Sequence, residues 1–287
     1  MKENIIVCFS GGKTSAFMCK WLINNMSHVY SFTFVYANTG LEHPNTLEFV
    51  DKCDKFFNLN LVWLEAVISD KYMVGTTFKI VSFETACRDN RLFKEMCAVY
   101  GLPNQTFLHC TRELKNQPIK KYAQSIIPDS FRIALGIRFD EFKRIKNRKD
   151  VLYPLATIGK FTKEDILNFW KKQPFDLEIE EHYGNCVSCY KKSDKKLKMI
   201  ADENPQYFDS FIELENLFET VKVKNEIEKR FIFRGFRTSF DVKNNLKLPD
   251  NLAEAEDDDC VEECGSIFSD YESIPIYAEE KTLLSFL

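Results

Sequence analysis

The 287-residue sequence contains no run of 18 apolar residues, so no membrane-spanning helix is expected. Met1–Asn4 lead straight into a strand-like run, with no apolar signal core and no small-residue cleavage site; this makes a cytoplasmic location the expectation. Histidine is scarce, with four residues in no spaced metal motif. There is no surplus of positive charge: the net charge of −4 argues against a uniformly basic nucleic-acid coat and leaves room only for a local patch. No internal repeat is present. Hydrophobic residues, at 45%, suffice for a sizeable core and rule against global disorder. The length suits one α/β domain with added elements.

Ten cysteines stand out against these absences. Disulfides are rare in reducing compartments, so clustered cysteines there point to metal or catalysis. Cys8, Cys19 and Cys53 lie in apolar runs and read as core residues. Cys87 and Cys97 are read as structural. Cys110, Cys186, Cys189, Cys260 and Cys264 require another account.

Residues 4–9 form a short apolar run without alternation, the signature of a buried parallel strand. Ser10-Gly11-Gly12 then turns, and an apolar face carrying Phe17, Trp21 and Leu22 predicts a helix from Lys13 to Met26. A second strand is expected over Val29–Ala37, broken by Asn38-Thr39-Gly40. Pro44 suits the first turn of a helix to about Phe57, and Leu59–Leu64 reads as a third strand. This alternation predicts an α/β fold: an open, doubly wound parallel sheet with right-handed crossovers. Residues 65–109 are read as a helical insertion or lid. A helix is expected at Pro118–Ser125, a buried strand at Phe131–Gly136, and a helix start at Thr162, with Asp165 as its capping-box partner. Residues 190–230 read as two or three short amphipathic helices. The stretch from Glu254 to Glu263 carries seven acids and belongs to a loop-rich tail.

Ser10-Gly11-Gly12-Lys13-Thr14-Ser15 joins the first strand to the first helix. Glycine lets backbone approach a phosphate, and the unpaired N–H groups and dipole of a helix start favour an anion. Lys13, Thr14 and Ser15 add side-chain donors. The loop is not a Walker A motif, because Val7 stands where that motif requires its first glycine. In the doubly wound arrangement, Ala37, Asn38, Thr39 and Gly40 fall at the same sheet end. Arg112, Lys115, Arg138 and Arg144 offer guanidinium and ammonium groups for phosphate or sulfate. Lys143, Lys146, Arg148 and Lys149 read equally well as a solvated charged face.

The Ser-Gly-Gly-x-x-Ser turn resembles the PP-loop of ATP pyrophosphatases and their PAPS reductase relatives, although the pyrophosphatase form often has Asp at the position of Thr14. Phe34–Pro44, the Cys110-Thr111-x-x-Leu114-Lys115-x-x-Pro118 segment and the Gly136-x-Arg138-x-x-Glu141 segment resemble the PAPS reductase branch in order. The likeness includes phage- and prophage-encoded proteins of that family. With it, residues 1–160 are expected to form a PP-loop α/β domain and 161–241 a helical region with Cys-x-x-Cys, while composition sets off 242–287 as an acidic, loop-rich tail. The implied ligand is ATP, phosphoadenosine phosphosulfate or adenylylsulfate, with Gly136, Arg112, Lys115 and Arg144 near the nucleotide, Lys13 and Arg138 on developing phosphate charge, and Mg²⁺ accompanying ATP. Oligomers are compatible with the fold.

Three cysteine arrangements remain open. Cys110, Cys186 and Cys189 resemble ligands of a 4Fe–4S cluster, with His109 where a further cysteine would stand. Alternatively, Cys186, Cys189, Cys260 and Cys264 form a four-cysteine site for Zn²⁺ or a cluster. A redox pair or surface thiols without metal is the third. Glu263-Cys264-Gly265 also resembles the C-terminal Glu-Cys-Gly of sulfonucleotide reductases, which would make Cys264 a nucleophile. His182 reads as a surface histidine or a further candidate ligand, and His43 as a neighbour of the nucleotide.

Three functions follow as expectations: an adenylating transferase coupled to sulfur transfer or nucleic-acid modification, a sulfonucleotide reductase using a thioredoxin-like donor, and a non-catalytic nucleotide-binding module. The run Lys191-Lys192, Lys195-Lys196 and Lys198 is either a nucleic-acid contact or a solvated helix face.

Overall fold

A computed structural model describes residues 2–69, 75–223 and 226–248. The tail expected over 242–287 is described only to residue 248, and Cys260 and Cys264 lie outside the described residues. Among the described residues, no helix is long and apolar enough to cross a membrane.

The expected alternation is present. β1 (Glu3–Cys8), α1 (Lys13–Met26), β2 (Tyr30–Ala37), α2 (Pro44–Phe57) and β3 (Val62–Ile68) follow one another. Beyond them come β4 (Thr76–Val81), α3 (Arg91–Tyr100), a π-helical turn at Cys110–Asn116, α4 (Gln117–Ile126) and β5 (Arg132–Ala134). A 3₁₀ turn at Phe139–Arg144 leads to β6 (Val151–Leu152), α5 (Pro154–Thr157) and α6 (Lys163–Trp170). The chain continues with α7 (Asp194–Glu203), α8 (Asp209–Phe218), the hairpin β7 (Thr220–Val223) and β8 (Glu226–Lys229), and α9 (Ser239–Lys243).

The main sheet runs β4-β3-β2-β1-β5-β6. Every pairing is parallel except β3 with β4. The sheet is therefore mixed and mostly parallel. Residues 65–109, expected as a helical insertion, contain the end of β3 and the whole of β4 as well as α3. β4 is an edge strand, covered on one side, and so lacks the continuous apolar run of a buried strand. It is anchored by Lys79, whose ammonium lies 3.0 Å from the fully buried Glu65 of β3. Lysine on an edge also discourages pairing with another chain.

Successive β1 residues enter different cores. Ile5 and Val7 pack with Phe17, Met18, Phe49 and Val50, whereas Ile6 packs with Val35, Leu64, Ile119 and Ile133. A strand buried on both faces reads as unbroken hydrophobicity, which is why β1 was legible. α6 begins with the expected capping box: Thr162 Oγ1 accepts from Asp165 N, and Thr162 N donates to Asp165 Oδ2 at 2.8 Å. Its Trp170 joins the α1–α2 core. A third core brings Leu92, Phe93 and Met96 of α3 together with Leu197, Ile200, Phe211 and Leu214 of α7 and α8.

The chain winds from β1 outward to β4, then returns across β1 to β5. That reversal opens a crevice at the carboxyl ends of β1 and β5, the place where open α/β sheets bind ligands.

Candidate active site

Two loops meet at this crevice: Ser10–Gly12 after β1 and Leu135–Arg138 after β5. Gly11 has φ +87°, and an added Cβ would stand 2.8 Å from Thr46 Cγ2. The position needs glycine for both conformation and space. Gly136 needs it for space alone, since a Cβ there would lie 3.2 Å from Ser15 Cα. The loop then folds onto the helix start. Ser15 Oγ accepts from Ser10 N at 3.1 Å, lies 2.9 Å from Ser10 Oγ and donates to Gly12 O at 3.0 Å. Trp170 Nε1 donates to Lys13 O at 3.0 Å and pins the first turn of α1 from outside.

These loops line a cavity of about 250 Å³ with Ser10, Gly11, Gly12, Lys13, Thr14 and Arg138. Arg138 Nη1 donates to Thr14 Oγ1 at 3.4 Å, and its Nε lies 3.0 Å from Asp140 Oδ1. Lys13 Nζ lies 2.6 Å from Asp176 Oδ2, with both side chains partly exposed. The same cavity is also lined by Lys163, Glu180, Glu181 and Lys196. Glu181 bridges Lys196 at 3.0 Å and Lys163 at 3.3 Å. Its hydrogen bond from Lys196 is the main cause holding its carboxyl down at about 2. Lys13, Arg138, Lys163 and Lys196 thus all line the cavity, together with a helix start whose dipole has the same sign.

Lys196 was the least legible of these residues. Its basic run reads as a nucleic-acid contact or a solvated face, yet Lys192 and Lys196 are buried. The run therefore forms no continuous exposed stripe. Lys191 Nζ reaches Thr111 Oγ1 at 3.4 Å, and Lys198 pairs with Asp202 at 2.5 Å.

The remaining expected site residues take other places. Asn38 and Thr39 are 0% and 1% exposed. Asn38 Nδ2 donates to Glu65 Oε1 at 2.7 Å and to Cys87 O at 2.9 Å, while Thr39 Oγ1 donates to Glu42 Oε1 at 2.6 Å. Gly40 packs beneath Asp89, where an added Cβ would meet a carbonyl oxygen at 2.3 Å. Ala37 is likewise buried. Lys115 pairs with Glu42 at 3.8 Å, below the same loop. Arg112 lies over the Tyr100 ring at 5.2 Å and pairs with Glu113. Arg144 pairs with Glu141, which itself lines the cavity.

His43 caps α2, accepting at Nδ1 from Asn45 N at 3.2 Å. His182 is buried against Glu203 at 2.8 Å and is not a surface residue. His109 is buried and stacked on Phe107 at 5.7 Å. Burial first, then the charges of Arg112 and Arg230, push its pKa down to about 3.

Cys186 Sγ stands 3.3 Å from Thr39 Oγ1, and the Cys186 backbone bridges to Glu42. Cys110 Sγ lies 3.5 Å from Tyr190 Oη, and Cys189 packs at the border of the third core. Among the described residues, no three His, Cys, Asp or Glu side chains are grouped to hold a metal ion. Cys110, Cys186 and Cys189 are thus not gathered into one ligand group there, and the four-cysteine arrangement falls on Cys260 and Cys264, outside the described residues. Cys19, Cys53, Cys87 and Cys97 are buried, as expected of structural thiols.

Residues 4–149 match the phosphoadenosine phosphosulfate reductase domain. An uncharacterized nin region protein of Escherichia phage lambda, ORF290, is 34% identical over 241 residues, covering 82% of each chain. An uncharacterized protein of Methanocaldococcus jannaschii is 21% identical over 248 residues, covering 82% of this chain and 45% of that longer protein. The matched span contains both loops of the crevice, and the chain belongs to the phosphoadenosine phosphosulfate reductase domain family.

Proposed function

We propose that the crevice binds the phosphate chain of ATP, supplied with Mg²⁺, and that the protein transfers the adenylyl group to an acceptor. The carrying observation is that Ser10–Thr14 and Arg138, far apart in sequence, line one cavity at the sheet's switch point. An acceptor heteroatom attacks the α-phosphorus, the α–β P–O bond breaks, and pyrophosphate leaves with the electron pair. A second nucleophile, such as a sulfur donor or a base amine, then displaces AMP. Lys13 and Arg138 act by stabilising charge on the transferring phosphate, the main route by which proteins accelerate such transfers.

A second reading, sulfonucleotide reduction with a thioredoxin-like donor, is favoured by the family match over residues 4–149. It requires a thiolate at Cys264, outside the described residues. A third reading is nucleotide binding without turnover.

Product analysis of the full chain separates the readings. Pyrophosphate and AMP formed from ATP support adenylation. Sulfite formed from phosphoadenosine phosphosulfate and a dithiol donor, and lost in Cys264→Ser, supports reduction. Tight binding with neither product leaves the binding module.

A further inference from the structure

Phe139 and Phe142 stand beside the nucleotide crevice with 45% and 64% of their surface exposed. Core packing gives no reason for two exposed rings on one short turn. The turn is nevertheless held in place. Phe139 N donates to Phe161 O at 2.8 Å, and Lys163 N donates to Asp140 Oδ2 at 3.1 Å. Ile145 N closes the turn onto Phe142 O at 3.0 Å. The rings are therefore presented by a braced backbone.

The surrounding charge is net positive. Residues 138–150 carry six cations and three carboxylates in a chain whose net charge is −4. All three carboxylates are engaged locally: Asp140 with Arg138, Glu141 with Arg138 and Arg144, and Asp150 with Arg148. Lys143, Lys146 and Lys149 are exposed and form no ion pair among the described residues.

We infer that the segment Phe139–Lys149 binds single-stranded nucleic acid. Exposed rings interleaved with cations suit a strand whose bases stack while its phosphates meet lysines. A duplex keeps its base faces hidden, so it gains only the electrostatic part. Glu141 of this segment and Arg138 just before it line the cavity, so a bound strand would bring a base to the transferring phosphate. That last placement rests on the reading of the cavity as a nucleotide site; the binding surface itself does not.

The test is fluorescence anisotropy of the full chain with one labelled 20-nucleotide sequence, offered as single-stranded DNA, single-stranded RNA and duplex DNA across a salt series. Either single strand should bind more tightly than the duplex, and the DNA and RNA arms identify the natural polymer. The double variant Phe139→Ala/Phe142→Ala should weaken single-strand binding by about tenfold or more. Replacing Lys143, Lys146 and Lys149 together by Ala should reduce the slope of log K against log salt by about 2. Circular dichroism and ATP affinity should be unchanged in both variants. Three results would overturn the inference: no oligonucleotide binding at low salt, equal duplex binding insensitive to loss of the rings, or capture by phosphatidylserine vesicles in preference to the oligonucleotide. ATP binding without oligonucleotide binding would overturn the surface and leave the cavity. The reverse would leave the surface and remove the cavity reading.

Discussion

Gly136 touches Ser15. The backbone that follows β5 lies so close to the first turn of α1 that a Cβ at Gly136 would come within 3.2 Å of Ser15 Cα. This contact sets the spacing between the two loops lining the cavity. Gly136→Val should separate them, lowering ATP affinity by about tenfold or more while leaving the sheet intact. Calorimetric titration alongside circular dichroism checks this. Unchanged affinity in a folded variant would show that the spacing is immaterial.

Thr14 provides the neutral partner of Arg138, at 3.4 Å. A carboxylate there would pair with the guanidinium and reduce its availability to phosphate. Thr14→Asp should weaken ATP binding by about tenfold, and Thr14→Ser should restore near-native affinity. The comparison also tests why the pyrophosphatase-like aspartate is absent from this loop.

Lys13 is held by Asp176 at 2.6 Å in a partly exposed pair. Such pairs contribute little to stability, about 0–1 kcal/mol. Asp176→Asn should therefore leave the unfolding midpoint nearly unchanged and tighten ATP binding by a few-fold. Weaker binding would mean that Asp176 orients Lys13 more than it competes for it.

His109 gives the fold a pH dependence. Its folded pKa lies near 3, below the usual value of 6.5. Between these values the unfolded chain binds the extra proton. The stability contribution is therefore complete above about pH 6.5 and is lost as pH falls toward 3, reaching up to about 2 kcal/mol at pH 5. His109→Phe should reduce the loss between pH 7 and pH 5, read from urea unfolding at both values. An identical loss in the variant would show that His109 is not its source.

The buried parallel strands were legible because a strand covered on both faces has an unbroken apolar sequence, as in Ile5-Ile6-Val7. The phosphate loop was legible because glycines between such a strand and a helix have few other uses. β4 was missed because an edge strand is covered on one side only: Thr77 and Lys79 are exposed while Thr76 is buried and Phe78 half-buried. Part of the cavity lining was missed for another reason. Lys163, Glu181 and Lys196 look like ordinary surface charges until the chain folds and ion pairs bring them together. The placement of Asn38 and Thr39 beneath Glu42, Cys87 and Cys186 likewise depends on segments remote in sequence.

The central claim is that the Ser10–Ser15 loop and Arg138 form a phosphate site for an adenine nucleotide. Calorimetric titration of the full chain with ATP and with adenosine, repeated on Lys13→Ala/Arg138→Ala, tests it most directly. The account predicts that ATP binds at least about 100-fold more tightly than adenosine and that the double variant removes most of this difference. Equal affinity for the two ligands, or ATP binding unchanged in the folded double variant, would contradict it.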